Sequence, residues 1–153
     1  MGRPLAGQHC MRGLIFLTSI VIVLAVVSGT NAGTSAPRVV VRSSSYGHIL
    51  FDGRGFVLYA FTHDRRGRST CSRACAKAWP PYLVRQKPRA GNGAKASLVG
   101  TVRRADGRLQ ATYAGHPLYY YVGDRKPGQI LCQGVSEFGG FWRVVRPSGI
   151  PIR

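Results

Sequence analysis

Acidic residues are scarce in this chain. Asp52, Asp64, Asp106, Asp124 and Glu137 are the five acids of 153 residues, set against 22 Lys+Arg, for a formal net charge of +17. So few carboxylates argue against oxygen-rich Ca²⁺ or Mg²⁺ sites and against two-metal phosphoryl-transfer centres, which need clustered acids. Cysteine is also sparse: four residues are too few for a disulfide-dense miniprotein. The longest charge-free apolar run, Leu14 to Val27, is 14 residues, short of the about 20 that a membrane-spanning helix needs. There is no G-x-S-x-G, no Ser/His/Asp ordering, no phosphate loop, no C-x-x-C redox pair and no C-x-x-C-H haem signature. No residue set nominates itself for catalysis, and none predicts a cofactor. With 44% hydrophobic and 18% charged residues, the composition suits one small, basic, packed domain.

The apolar run follows Arg3 and Arg12 and leads into small residues, the layout of a secretory signal peptide. Thr30-Asn31-Ala32 is a tolerable cleavage site, so residues 1–32 are read as a signal removed after Ala32. A retained signal-anchor is the alternative, and Met11 is a second plausible start. No Cys follows the apolar run to accept a lipid. Export would place Cys71, Cys75 and Cys132 where disulfides persist.

Residues 33–45 read as a leader and a first strand containing Val39-Val40-Val41. His48 to Asp52 and Phe56 to Thr62, joined by Gly53-Arg54-Gly55, read as a hairpin. Ser69 or Thr70 is a candidate N-cap for a short helix over about 71–78, which Pro80-Pro81 must stop. Arg85 to Lys95 reads as a loop. Ser97 to Arg103 and Arg108 to Tyr113 flank an Asp106-Gly107 turn. Pro117 to Val122 and Phe141 to Val145 complete the strands, and 148–153 is a tail.

The chain repeats itself. Gly55, Leu58, Tyr59, Phe61, Asp64 and Arg65 recur at an offset of 60 as Gly115, Leu118, Tyr119, Tyr121, Asp124 and Arg125. Trp79 and Trp142 follow at an offset of 63. Copies of about 60 residues rarely bury enough surface alone. The prediction is therefore a mainly β protein: two hairpin-based repeats, about 46–84 and 97–147, packed as one antiparallel domain over 46–147.

Tyr59 to Asp64 and Tyr119 to Asp124 both fit Y-x-[FWY]-x-x-D. With Cys71-Ser72-Arg73-Ala74-Cys75-Ala76-Lys77-Ala78-Trp79-Pro80-Pro81, and with Asp106-Gly107-Arg108-Leu109-Gln110 followed by Gly115-His116-Pro117-Leu118-Tyr119, the chain resembles the bacterial secreted repeat of unknown function family. That family is also described as predicted lipoproteins carrying this motif. The resemblance covers roughly residues 46 to 147. It implies an exported, envelope-associated domain and supplies no substrate. The missing lipidation Cys departs from the lipoprotein label, and Cys132 stands where the family pattern more often has a small residue.

On a strand, Tyr59 and Phe61 share a face, as do Tyr119 and Tyr121. They read as core aromatics, with Asp64 and Asp124 accepting backbone N–H groups where each strand ends. The functional alternative is a tyrosine-lined groove with the two Asp as ligands. Cys71 and Cys75, at i and i+4, lie within disulfide reach on a helix, yet a bond from either to Cys132 would close a longer loop and stabilise more. The resemblance favours the local pair. Zinc at the C-x₃-C spacing is a further option, with His48, His63, His116 and Cys132 in supply, although no metal ligand set is assigned. His63 becomes Gly123 in the second repeat and reads as an exposed strand-end residue.

The basic clusters Arg65 to Arg68, Arg85 to Arg89, Arg103-Arg104 and Arg125-Lys126 fall near turns. By default they read as a solvated surface that keeps the protein soluble; for an exported protein, the partner they would suit is an anionic envelope surface or polymer. Export argues against nucleic acid. Membrane contact is expected only peripherally, or through an uncleaved anchor. The function expected is a non-catalytic binding or structural module of the envelope or periplasm. A metal-binding or redox-associated protein using Cys71, Cys75 and nearby His is the alternative.

Overall fold

The computed structural model describes residues 36–153, so the signal at 1–32 and most of the leader lie outside the described residues. Strand β1 (Arg38–Ser44) turns through Ser45-Tyr46 into β2 (Gly47–Asp52), with Val39 opposite Asp52 and Ser44 opposite Gly47. A short strand β3 (Tyr59–Phe61), helix α1 (Ala74–Ala78) and the two-residue strands β4 (Leu83–Val84) and β5 (Arg89–Ala90) complete the first half. After a 3₁₀ turn at Ala96–Leu98, the second half runs β6 (Val99–Arg103), β7 (Leu109–Tyr113), β8 (His116–Pro117), β9 (Val135–Glu137) and β10 (Gly140–Val144). The protein is mainly β, as its turn-punctuated sequence predicts. Among the described residues no helix is long and apolar enough to cross a membrane.

The two repeats interleave. Three sheets run β2-β1-β5, β3-β10-β9 and β4-β7-β6, with β8 added on β7. Thus β3 of the first repeat pairs with β10 of the second, and β4 of the first with β7 of the second. The Leu50 N–H also donates to Val145 O at 2.9 Å, and the Ala111 N–H to Tyr82 O at 2.9 Å, so each repeat's closing segment seals the other's hairpin. All strand pairings are antiparallel except β1 with β5. The last residues join this fabric, since the Ile152 N–H donates to Val144 O at 2.9 Å.

The alternation explains the core. Along β3 and its counterpart, Tyr59, Phe61, Tyr119 and Tyr121 face one cluster, while Leu58, Ala60, Leu118 and Tyr120 face another. The central strands are covered on both faces, so their burial is continuous and their hydrophobic alternation imperfect.

Several local details differ from the sequence reading. The expected hairpin of 48–52 with 56–62 shrinks to one bridge, Phe51 opposite Val57, because β3 leaves to pair with β10. Helix α1 spans Ala74–Ala78 and begins after Arg73, which has φ of 51° and makes no side-chain cap. Ser69 and Thr70, expected as caps, instead bond Tyr119 and Asp64. The expected loop at 85–95 contains β5. The strand expected over 117–122 is regular only at His116–Pro117, and β9 was absent from the sequence reading.

Candidate functional site

The motif tyrosines meet at the junction of the repeats. The N–H of Tyr59 donates to Tyr119 O and that of Tyr119 to Tyr59 O, each at 2.9 Å. Their side chains cross over as well. Tyr59 Oη donates to Asp124 Oδ2 at 2.7 Å and Tyr119 Oη to Asp64 Oδ2 at 2.6 Å. Each carboxylate's other oxygen anchors the loop after its own strand. Asp64 Oδ1 accepts the Thr70 N–H at 2.7 Å and hydroxyl at 2.8 Å, and Asp124 Oδ1 accepts the Leu131 N–H at 3.0 Å. The glycines follow the same two-fold logic: the Gly67 N–H donates to Gly115 O, and the Gly128 N–H to Gly55 O.

Over the tyrosine pair lies a column of rings. Trp79 and Trp142 stack at 4.1 Å and 3°. Phe61 stacks on Trp142 at 4.2 Å, and Tyr121 tilts against Trp79 at 4.8 Å, so each motif's second aromatic covers the other repeat's tryptophan. Tyr59 and Tyr119 meet the edges of Trp79 and Trp142. Edge-to-face and offset pairs each add about 0.5–1.5 kcal/mol beyond area burial. Tyr59, Tyr119, Trp79 and Trp142 are all fully buried, so the tyrosines line no open groove.

Burial shapes the electrostatics. Desolvation pushes the Asp124 carboxyl up to about 6, against the pull of the Tyr59 hydroxyl and the Leu131 N–H. Asp64 is raised for the same reason, opposed by Tyr119, Thr70 and the Arg104 charge. Both phenols are displaced upward by desolvation, then by the carboxylates beside them.

The symmetry breaks at Arg104, a residue whose importance the sequence reading did not single out. Its guanidinium is buried, donating to Ser69 Oγ at 2.8 Å, Gln110 Oε1 at 2.6 Å and Cys71 O at 2.7 Å. Ser69 lies 2.8 Å from Tyr119 Oη, so Arg104, Ser69, Tyr119 and Asp64 form one network.

Every acid has a partner within the chain, four of them in the fold and Asp106 at its surface. Asp52 accepts Tyr120 Oη at 3.0 Å, the Arg54 and Phe56 N–H groups and Arg54 Nε. Glu137 accepts the Trp79 indole N–H at 2.9 Å. Asp106 pairs with Arg108 at 2.6 Å. With Asp64 and Asp124, four of the five acids take a proton donor from an aromatic ring. The basic side chains of Arg65, Arg66, Arg68, Arg85, Lys87, Arg89, Arg103, Arg125 and Lys126 all face solvent.

Cys71 and Cys75 form a disulfide with their Cα atoms 5.3 Å apart. Cys132 is buried in the same cluster and is not a free thiol. Among the described residues no group of three or more His, Cys, Asp or Glu comes together as a metal cage. The thiols expected for the metal or redox alternative are thus spent on one another. His63 is exposed beside Phe61, and His116 is half-buried, its imidazole pulled down by desolvation and by Arg66.

Comparison with known proteins agrees with this geometry. Neither the curated proteins nor the solved structures contain a match to the chain. The family model described as a secreted repeat of unknown function matches twice, over residues 40–82 and 100–146. These segments hold the two hairpins and the two crossing tyrosine strands. The chain belongs to the family of secreted repeats of unknown function.

Proposed function

We propose that the protein is a non-catalytic binding module of the cell envelope or periplasm, whose cationic surface engages an anionic lipid surface or acidic polymer. The observation that carries this reading is the fate of the acids. Four are turned inward to tyrosine, tryptophan and backbone donors, and the fifth is taken by Arg108. Almost no negative charge remains outside to neutralise the exposed Arg and Lys. An uncompensated positive surface attracts polyanions over roughly a Debye length, about 8–10 Å at physiological salt. In this reading the Tyr–Asp motif is architectural: it interlocks the repeats and leaves binding to the surface.

Vesicle co-sedimentation tests the proposal. The purified protein is expected to sediment with phosphatidylglycerol-containing vesicles at low salt and to be released as salt rises. It should remain in solution with phosphatidylcholine alone. Equal behaviour towards the two lipids would contradict the proposal, as would binding that ignores salt.

A further inference from the structure

The two-fold relation of the repeats exposes a seat that is filled in one half and open in the other. Val39 and Gly47 correspond to Val99 and Gly107 at an offset of 60, which sets Ser44 opposite Arg104. Gly128, Leu131 and Cys132 correspond to Gly67, Thr70 and Cys71 at an offset of 61, which sets Ile130 opposite Ser69. Leu50 corresponds to Ala111 through their matching bonds to the other repeat, which sets Ile49 opposite Gln110. Where the Arg104 guanidinium meets Ser69 and Gln110 in one half, the other half has a serine side chain and two isoleucines. An open cleft of about 390 Å³ results, bounded by Arg42, Ser43, Ser44, Ser45, Phe51, Ile130 and the Pro127-Gly128 turn.

We infer that this cleft binds a single-chain amphiphilic anion, with its apolar chain on Ile130 and Pro127, above the buried Phe51, and its charged head on Arg42. The two side-chain acceptors that hold a cation in the filled half, on Ser69 and Gln110, are replaced by Ile130 and Ile49, so a cationic guest loses both and keeps only a backbone carbonyl, the counterpart of Cys71 O. No acid lines the cleft. Arg42 is exposed and forms no ion pair among the described residues, leaving its guanidinium available for a phosphate or carboxylate fork. Ser43 and Ser45 add hydroxyls beside it. The volume falls within the about 300–1,000 Å³ range of small-molecule sites. This inference does not depend on the polyanion reading, because it rests on the lining of one cleft, Arg42 with its apolar wall, and not on the summed charge of the exposed loop arginines.

The test is an amide NMR titration of the purified protein with octyl phosphate below its micelle concentration, with inorganic phosphate and octanol as separate arms. Octyl phosphate should shift residues 42–45, Phe51 and 127–130 saturably, and each half-molecule alone should bind at least tenfold more weakly. Arg42→Gln should weaken octyl phosphate at least tenfold. Ser44→Arg, which restores the side chain of the filled half, should block the cleft equally. Gln86→Ala, at an exposed residue outside the cleft, should leave the affinity unchanged. Shifts confined to 65–68 and 103–108 would overturn the inference. So would undiminished binding by Arg42→Gln, or equal affinity for inorganic phosphate. Arg42→Gln alters an exposed side chain, so its result stands even if Ser44→Arg disturbs the turn.

Discussion

Tyr59 donates its phenolic proton to Asp124, 65 residues away in the other repeat, at 2.7 Å. The reciprocal bond joins Tyr119 to Asp64, so the Y-x-[FWY]-x-x-D motif is completed across the repeats and not within either. A single repeat would present an unpaired phenol and an unpaired carboxylate at the surface it must bury, each costing about 1–3 kcal/mol or more. The motif therefore specifies a pair of repeats.

The buried aromatics should carry stability. Tyr59→Ala and Tyr119→Ala are each expected to destabilise by about 3 kcal/mol or more, the range of buried aromatic truncations. Asp64→Ala and Asp124→Ala should cost about 1–3 kcal/mol each through donors left unpaired. Urea unfolding of the four variants measures this. Near-native midpoints would reopen the motif as a ligand site.

Adjacent arginines should behave oppositely. Arg104→Ala removes three buried hydrogen bonds and should cost about 3 kcal/mol or more, since bonds to charged groups carry about 1.5–3 each. Arg103→Ala loses one exposed bond to Gly107 O and should stay within about 0.5 kcal/mol of wild type. Thermal melts of the two variants make the comparison directly.

The pH dependence follows from the sign of the Asp124 shift. Its folded carboxyl titrates near 6, above the ordinary value of about 3.9. The folded state therefore keeps this proton longer than the unfolded chain, and stability from this group falls as pH rises from about 4 to 6, then levels. Asp64, also raised by burial, acts in the same direction, and His116, lowered by burial, acts oppositely just below its ordinary value, so the wild-type profile mixes the three. Melting Asp124→Asn beside wild type from pH 4 to 7 isolates the carboxyl. The gap between the two curves should change across that window, and a constant gap would contradict the assignment.

The disulfide should matter modestly. A loop closed between Cys71 and Cys75 stabilises by about 2 kcal/mol in the chain-entropy model, so Cys71→Ser/Cys75→Ser should fold with a lowered melting temperature. Circular dichroism melts check it.

Much of the fold was legible in the residues. The offset of 60 marked the repeats, and the Asp106-Gly107 turn marked the hairpin of β6 and β7. Strand β9 was missed because its turn into β10 is Phe138-Gly139, both at positive φ; a phenylalanine there gives none of the usual Asn or Asp signal. Ala114-Gly115 between β7 and β8 is also at positive φ without an Asn or Asp, and there the flanking strand residues alone marked the turn. The exchange of tyrosines and carboxylates was not legible, because partners 55 and 65 residues apart follow no local period. Arg104 was hidden for a similar reason: beside Arg103 it reads as surface charge, and only the loop carrying Ser69 and Cys71 buries it.

A double-mutant cycle tests the interlock most directly. Tyr59→Phe is combined with Asp124→Ala across the repeats, and with Asp64→Ala within one. The interlock predicts a coupling of about 0.5–3 kcal/mol for Tyr59 with Asp124, and additivity within about 0.5 kcal/mol for Tyr59 with Asp64. Coupling to Asp64 with additivity to Asp124 would contradict it, showing each motif to be closed within its own repeat.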